Sequence, residues 1–210
     1  MITLYTWGTP NGRKVSIMLE ELALPYEVVP VNIGTGQQFD PAFLAVSPNN
    51  KIPAIVDQET GQALFESGAI LLYLAEKSGK LMPADAREKW QVVQWLMWQM
   101  AGQGPMLGQA HHFLHFNPGK SDYAEKRYHE EARRLYGVLD TQLGRQGFAA
   151  TGELTIADIA IWPWVSRFQF HKIDLHEFPH VLEWYLRLAK RPAFEAGYRV
   201  PDAQQKIAIP

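Results

Sequence analysis

The chain has 210 residues, of which 47% are hydrophobic and 20% charged, a formal net charge of -2, and no cysteine. That length suits two compact lobes with cores of their own, and no apolar run approaches the roughly 20 residues of a membrane span. The basic residues are scattered among acidic ones, which excludes a phosphate-binding stripe and makes nucleic acid an unexpected partner. The missing cysteine excludes structural disulfides, thiolate metal sites and a thiol nucleophile on the protein itself.

The opening MITLYTWGTPNGRK has no basic segment followed by an apolar one, so no secretory signal is read and a cytoplasmic protein is expected. Residues 2–6 read as a short strand. Residues 11–22 read as an amphipathic helix with Val15, Met18, Leu19 and Leu22 on one face. A second strand is predicted over 26–31, a short helix over 41–46, and two strands over 54–57 and 62–65 around the turn Gln58-Glu59-Thr60-Gly61. A helix over 67–77 then closes on Gly79. The predicted order, βαβαββα, fills residues 1–80.

Past Pro83 only helical periodicity remains. A linker is expected over 78–85, an all-helical domain over 86–200 and a tail over 201–210. One long helix is predicted over 86–116, kinked or split by Gly102, Gly104, Pro105 and Gly108. Others are predicted over 121–143, from Thr155 onward, and over 179–190.

Two short units stand at element mouths. In Asn50-Lys51-Ile52-Pro53 the proline reads equally as an edge-strand device and, with a cis Ile52–Pro53 bond, as a clamp in which the Ile52 backbone pairs with an extended peptide. In Glu66-Ser67-Gly68 the serine is expected to cap the following helix. The same helix N-terminus suits a carboxylate, and Glu66 suits an ammonium group, so the pair fits an α-amino acid head group. Lys51 could hold a second carboxylate.

Together with Thr9-Pro10-Asn11-Gly12, Ser47-Pro48-Asn49-Asn50-Lys51-Ile52-Pro53 and Gly104-Pro105-Met106-Leu107-Gly108-Gln109, these units resemble the glutathione transferases over nearly the whole chain. The four motifs are most similar to the nu class of bacterial transferases, a class similar to the fungal prion-forming nitrogen regulator and known for reducing disulfides with glutathione. The resemblance implies a thioredoxin-like α/β N-terminal domain followed by an all-α domain, and glutathione as substrate, as one molecule, two, or the oxidised form. It also implies a homodimer and a small disulfide or electrophile as second substrate. It places the γ-glutamyl end on Glu66 and Ser67, the cysteinyl backbone beside Ile52 and Pro53, and the glycyl carboxylate near polar residues such as Lys51.

A thioredoxin-like fold would carry its thiol where the first helix begins, and here Thr9-Pro10-Asn11 stands in place of cysteines. By resemblance the Asn11 amide and the Thr9 hydroxyl stabilise the thiolate of glutathione. Taken bare, the stretch reads as a turn and cap. Gln38 resembles a glutathione-contacting glutamine, and Arg127 an arginine that reaches glutathione in its own subunit or across a dimer; without the resemblance both read as surface residues. Tyr5 lies inside a strand and reads as core. The expected activity is glutathione-dependent disulfide reduction, with conjugation to apolar electrophiles or a non-catalytic glutathione-binding regulator as alternatives.

Other features read as structural. Gly119-Lys120-Ser121 imitates the end of a phosphate loop, but no strand precedes it. His111, His112 and His115 lack an accompanying acid and are expected to line a substrate cleft rather than a metal. Thr155-Ile156-Ala157-Asp158 reads as a capping-box variant. Trp95, Trp98, Trp162, Trp164 and Trp184 read mostly as core.

Overall fold

The structure, a computed structural model, describes residues 1–210. The chain divides into two compact units, Met1–Lys80 with Ala189–Ile207, and Leu81–Leu188 with Ala208–Pro210. No helix is long and apolar enough to cross a membrane.

The first unit is built on a four-stranded sheet in the order β2-β1-β3-β4, with β1 Ile2–Thr6, β2 Tyr26–Pro30, β3 Ala54–Asp57 and β4 Gln62–Phe65. β1 pairs parallel with β2 and antiparallel with β3, and β3 pairs antiparallel with β4. The parallel step requires a crossover, supplied by α1, Pro10–Leu22. Thr9 caps α1 by accepting from the Gly12 N–H, and Pro10 stands at N1, where its missing N–H costs nothing. Val15, Ile17, Met18 and Leu19 are fully buried, a face of the helix that contributes about 1.5–3 kcal/mol for each large side chain. A short α2, Pro41–Leu44, follows β2, and α3, Ser67–Ser78, follows β4 and ends on Gly79 at φ 67°. This is the thioredoxin-like arrangement expected from the sequence. Tyr5 packs on Phe43 in a small apolar cluster with Val31, Ile52 and Ala54, as its place in the strand suggests.

The second unit is helical. α4, Ala86–Trp98, opens on Asp85, whose side chain accepts from two amides of the first turn. The chain then stays helical, with widened π turns at Gln99–Gln103, α5 at Gly104–His111, and π turns again at His112–Phe116. Gly102, Gly104 and Pro105 were expected to kink or split this helix. The wider turn instead takes in the residues where an α-helical ladder would be interrupted. Gly104 is required there, because a Cβ would strike the Gln99 side chain. α6, Asp122–Gln146, starts on Ser121, so Gly119-Lys120-Ser121 is a turn and cap. α7, Ile156–Val165, carries a complete capping box from Thr155 and Asp158, and α8 spans Pro179–Ala189.

The expected boundary at residue 200 needs correction. A further helix, α9 at Pro192–Tyr198, packs on α1 and belongs to the first unit. Gly197 approaches the Ile17 backbone so closely that no Cβ would fit. Ser16 Oγ donates to Gly197 O at 2.7 Å, and the Arg13 guanidinium lies 3.6 Å over the Tyr198 ring. Residues 189–207, expected to be the end of the helical domain and a tail, therefore complete the α/β unit.

Candidate functional site

The sheet register gathers residues that are far apart in sequence. Tyr5 is opposite Ala54 and Ala54 is opposite Phe65, so the end of β1, the start of β3 and the end of β4 lie side by side. Thr6 is opposite Pro30, which brings the end of β2 to the same edge. Thr9 and Asn11 therefore open α1 at the edge where Pro53 enters β3 and where Glu66 and Ser67 open α3. Both helix N-termini carry partial positive charge there.

At the α1 end, Thr9 Oγ1 accepts from Gly12 N at 3.2 Å, which leaves its hydroxyl proton for another acceptor. Asn11 is partly exposed at the second helical position. A Cβ on Gly12 would strike the Trp7 carbonyl and the Thr6 hydroxyl, so the strand and helix meet here without room for a side chain. At the β3 end the Ile52–Pro53 peptide is cis. Ile52 and Pro53 are buried, and the Ile52 backbone is used neither in the strand ladders nor in the flanking turns. Lys51 is exposed, and its carbonyl accepts from Ser47 Oγ at 2.8 Å.

At the β4 end the structure corrects the expected cap. The N-cap of α3 is Glu66, not Ser67. Glu66 adopts φ 69°, a left-handed value that a non-glycine residue holds at a cost of about 1–3 kcal/mol, and its exposed carboxylate makes no capping bond. The turn is completed one residue early, which carries Ser67 into the helix. Its buried Oγ accepts from Lys14 Nζ at 3.1 Å.

Lys14 was not singled out in the sequence, although it lies four residues before Met18 on the buried side of α1. Burial brings its ammonium down to about 7, with the Glu66 charge pulling the other way. At the far end of β3, Asp57 accepts from Tyr73 Oη at 2.5 Å and faces Lys77 Nζ at 2.9 Å. Burial raises its acidity constant's pH, but the bonds from Tyr73 and Lys77 outweigh it and bring the carboxyl to about 2.

Gln38 follows the Gly36 turn in the loop after β2, and its Oε1 is enclosed without a partner. Arg127 lies in the other unit, exposed on α6, where its charge acts on Glu131. The three histidines go to different surroundings. His111 is buried, stacked on His171 at 4.5 Å and on Trp164 at 5.5 Å; His115 stacks on Phe170; His112 is exposed beside Asn117. The expectation that all three line a cleft fails for His111, which its ring contacts draw into the core. No group of three His, Cys, Asp or Glu side chains could hold a metal ion. Trp162, Trp164 and Trp184 are buried, while Trp95 and Trp98 form a partly exposed edge-to-face pair.

Residues 1–76 match the glutathione S-transferase N-terminal domain family and residues 122–187 the glutathione S-transferase C-terminal domain family. The chain is 49% identical over 198 residues to the disulfide-bond oxidoreductase YfcG of Escherichia coli, covering 92% of each. A glutathione transferase family member from Pseudomonas fluorescens, solved with two glutathione molecules bound, superposes with TM-score 0.90 at 45% identity, over 95% of this chain and 93% of that one. A glutathione transferase from Pseudomonas putida, solved with one glutathione disulfide per subunit, gives TM-score 0.89 at 45% identity, over 95% and 91%.

Proposed function

The chain belongs to the glutathione S-transferase family, and on that premise we propose that it reduces disulfides with glutathione bound along the sheet edge of the first unit. The observation that carries this reading is the convergence of two helix N-termini, an unused peptide backbone at Ile52 and the strained Glu66 on one edge. Such an edge offers donors and acceptors along the length of a tripeptide. Glu66 takes the α-ammonium of the γ-glutamyl end, while Ser67 and the first amides of α3 take its α-carboxylate. Ile52 pairs with the cysteinyl backbone. Lys51 and Gln38 serve the remaining polar groups, and Arg127 reaches the ligand from the helical unit. Disulfide reduction is the activity named for the Escherichia coli relative, and the two bound states of the Pseudomonas proteins, paired glutathiones and glutathione disulfide, are the reactant and product sets that the reaction needs.

The chemistry must run without a protein thiol, since the chain has none. Glutathione loses its thiol proton, and the thiolate is held by the Asn11 amide, the Thr9 hydroxyl and the N-terminus of α1. The thiolate attacks one sulfur of the substrate disulfide, forming a glutathione mixed disulfide and expelling the second sulfur as a thiolate that takes up a proton. A second glutathione attacks the mixed disulfide at the glutathione sulfur and releases glutathione disulfide and the other substrate thiol. Two glutathiones and one disulfide thus give one glutathione disulfide and two thiols. The protein acts as a nu-class homodimer in the cytoplasm, a two-fold pair being the commonest closed assembly.

Steady-state kinetics on ligand-free protein test the scheme. Double-reciprocal lines should intersect, because both substrates are bound before product leaves, and no glutathione adduct should appear on the intact protein mass. Parallel lines overturn the direct attack. Conjugation of an apolar electrophile without disulfide reduction replaces this activity by ordinary glutathione transfer, and sedimentation at 23.9 kDa overturns the dimer.

A further inference from the structure

One buried charge at the sheet edge is unused by the chemistry above. Lys14 has 1% of its surface exposed and donates to Ser67 Oγ, itself 4% exposed, at 3.1 Å. We propose that Lys14 is a positioning residue of the head-group cradle: its ammonium fixes Ser67 Oγ as an acceptor and so aims the Ser67 hydroxyl proton at the ligand's α-carboxylate, and the arriving carboxylate draws a proton onto Lys14. The inference rests on the glutathione reading and adds a proton to it.

A serine hydroxyl has one proton and two lone pairs, whereas an ammonium group can only donate. With Lys14 donating to one lone pair, the Ser67 proton must point to a different acceptor. At the N-terminus of α3 a carboxylate supplies it and also meets the helix amides. The charges then alternate: Glu66 negative, ligand ammonium positive, ligand carboxylate negative, Lys14 positive. Without Lys14 the carboxylate would have only neutral donors, in a site whose one fixed charge is the negative Glu66.

The remaining ionisable groups around α1 are engaged elsewhere. On α1 itself, Arg13 lies over Tyr198 and bonds to Gln205, Glu20 accepts from Tyr26, and Glu21 pairs with Arg191. On α3, Tyr73 and Lys77 are tied to Asp57, and Glu76 is exposed. On α9, Glu195 and Arg199 pair with each other. Glu66 is thus the charge that acts on Lys14, and it does not restore the full basicity that burial removes: the ammonium titrates at about 7. A second anion beside it raises that value, so binding near neutral pH takes up protons.

Calorimetry of S-methylglutathione binding to the ligand-free protein tests this, the methyl group removing the thiol proton from the balance. In PIPES and in imidazole at pH 7, the difference in heats should correspond to uptake of about half a proton, because a group titrating at about 7 is half charged there. At pH 5.5, where Lys14 is already charged, the uptake should approach zero. Lys14→Met should abolish the uptake and weaken binding about tenfold, the loss expected for one hydrogen bond supported by charge. If that variant does not fold, the buffer dependence of the wild type decides alone. Binding with equal heats in both buffers at pH 7 overturns the role of Lys14 and leaves the cradle standing. An absence of S-methylglutathione binding overturns the cradle itself, and the inference with it.

Discussion

In the first unit the buried polar groups are charged and sit in specific company: Lys14 against Ser67 within reach of the Glu66 charge, Asp57 between Tyr73 and Lys77, Arg13 over the Tyr198 ring. In the helical unit they are mostly neutral, His111 stacked on His171 and Gln99 bonded to Gln103, with Asp158 as the one buried carboxylate. A buried charge with an incomplete set of partners gives an incoming ligand something to complete. Buried neutral rings and amides close on themselves and hold shape. The contrast separates a unit arranged to receive charge from one arranged to exclude it.

Asp158 is where the contrast is easiest to break. Its carboxylate accepts from the Ala149 and Thr155 amides and from Trp184 Nε1, and burial raises its titration against those bonds. Asp158→Ala would strand three buried donors at about 1 kcal/mol each, so the loss should reach about 3 kcal/mol or more. Urea unfolding measures it, and a loss below about 1 kcal/mol would mean that the capping box is ornamental.

Asn11→Ala sharpens the contrast from the other side, since it alters charge stabilisation without touching a core. Turnover in disulfide reduction should fall about 100-fold, the cost of one oxyanion-type donor, with glutathione affinity little changed. If the bound glutathione thiol titrates identically in both proteins, Thr9 carries the role instead.

Acid should act on the helical unit through its stacked imidazoles. Burial, the Arg167 charge and His115 bring His111 down to about 3, and burial, His111 and Arg167 hold His171 well below its ordinary range. Both imidazoles protonate more readily in the unfolded chain, so their stabilising share is complete above about pH 6.5 and is lost as pH falls from there toward the folded values. Between pH 7 and 5 the protein should lose about 2 kcal/mol or more from this source. His111→Phe should flatten that slope in urea titrations at stepped pH, and an unaltered slope would assign it to other groups.

The smallest effect is expected at Ser67→Ala, where one neutral donor is lost and glutathione affinity should fall about tenfold. Unchanged affinity in the folded variant would remove Ser67 from the cradle.

What could be read in advance follows from the range of each interaction. The strands at Ala54–Asp57 and Gln62–Phe65, the cap at Thr9, the capping box at Thr155 and the Gly79 stop are local signals, and they stand where the sequence puts them. Ser67 misled because its cap reading depends on where the turn ends, and the left-handed Glu66 ends it one residue early. Lys14 was legible only as a charge on an apolar stripe, since its partner is 53 residues away. The glycines near residue 104 announced a disturbed helix but not its form, because a π turn and a break share the same local cause. α9 was invisible as part of the first unit, since only its contact with α1 shows where it belongs.

That helix also sets an order of events during synthesis. The seat for α9 on α1, including the contact between Gly197 and Ile17, is made within the first 22 residues to leave the ribosome, but its occupant emerges only after residues 81–188 have been translated. For that interval, about 10–40 seconds at ordinary elongation rates, the nascent α/β unit carries an uncovered strip of α1. The last part of the first unit to form is therefore also the last to be translated, and a nascent chain stalled before residue 192 would present that strip to chaperones.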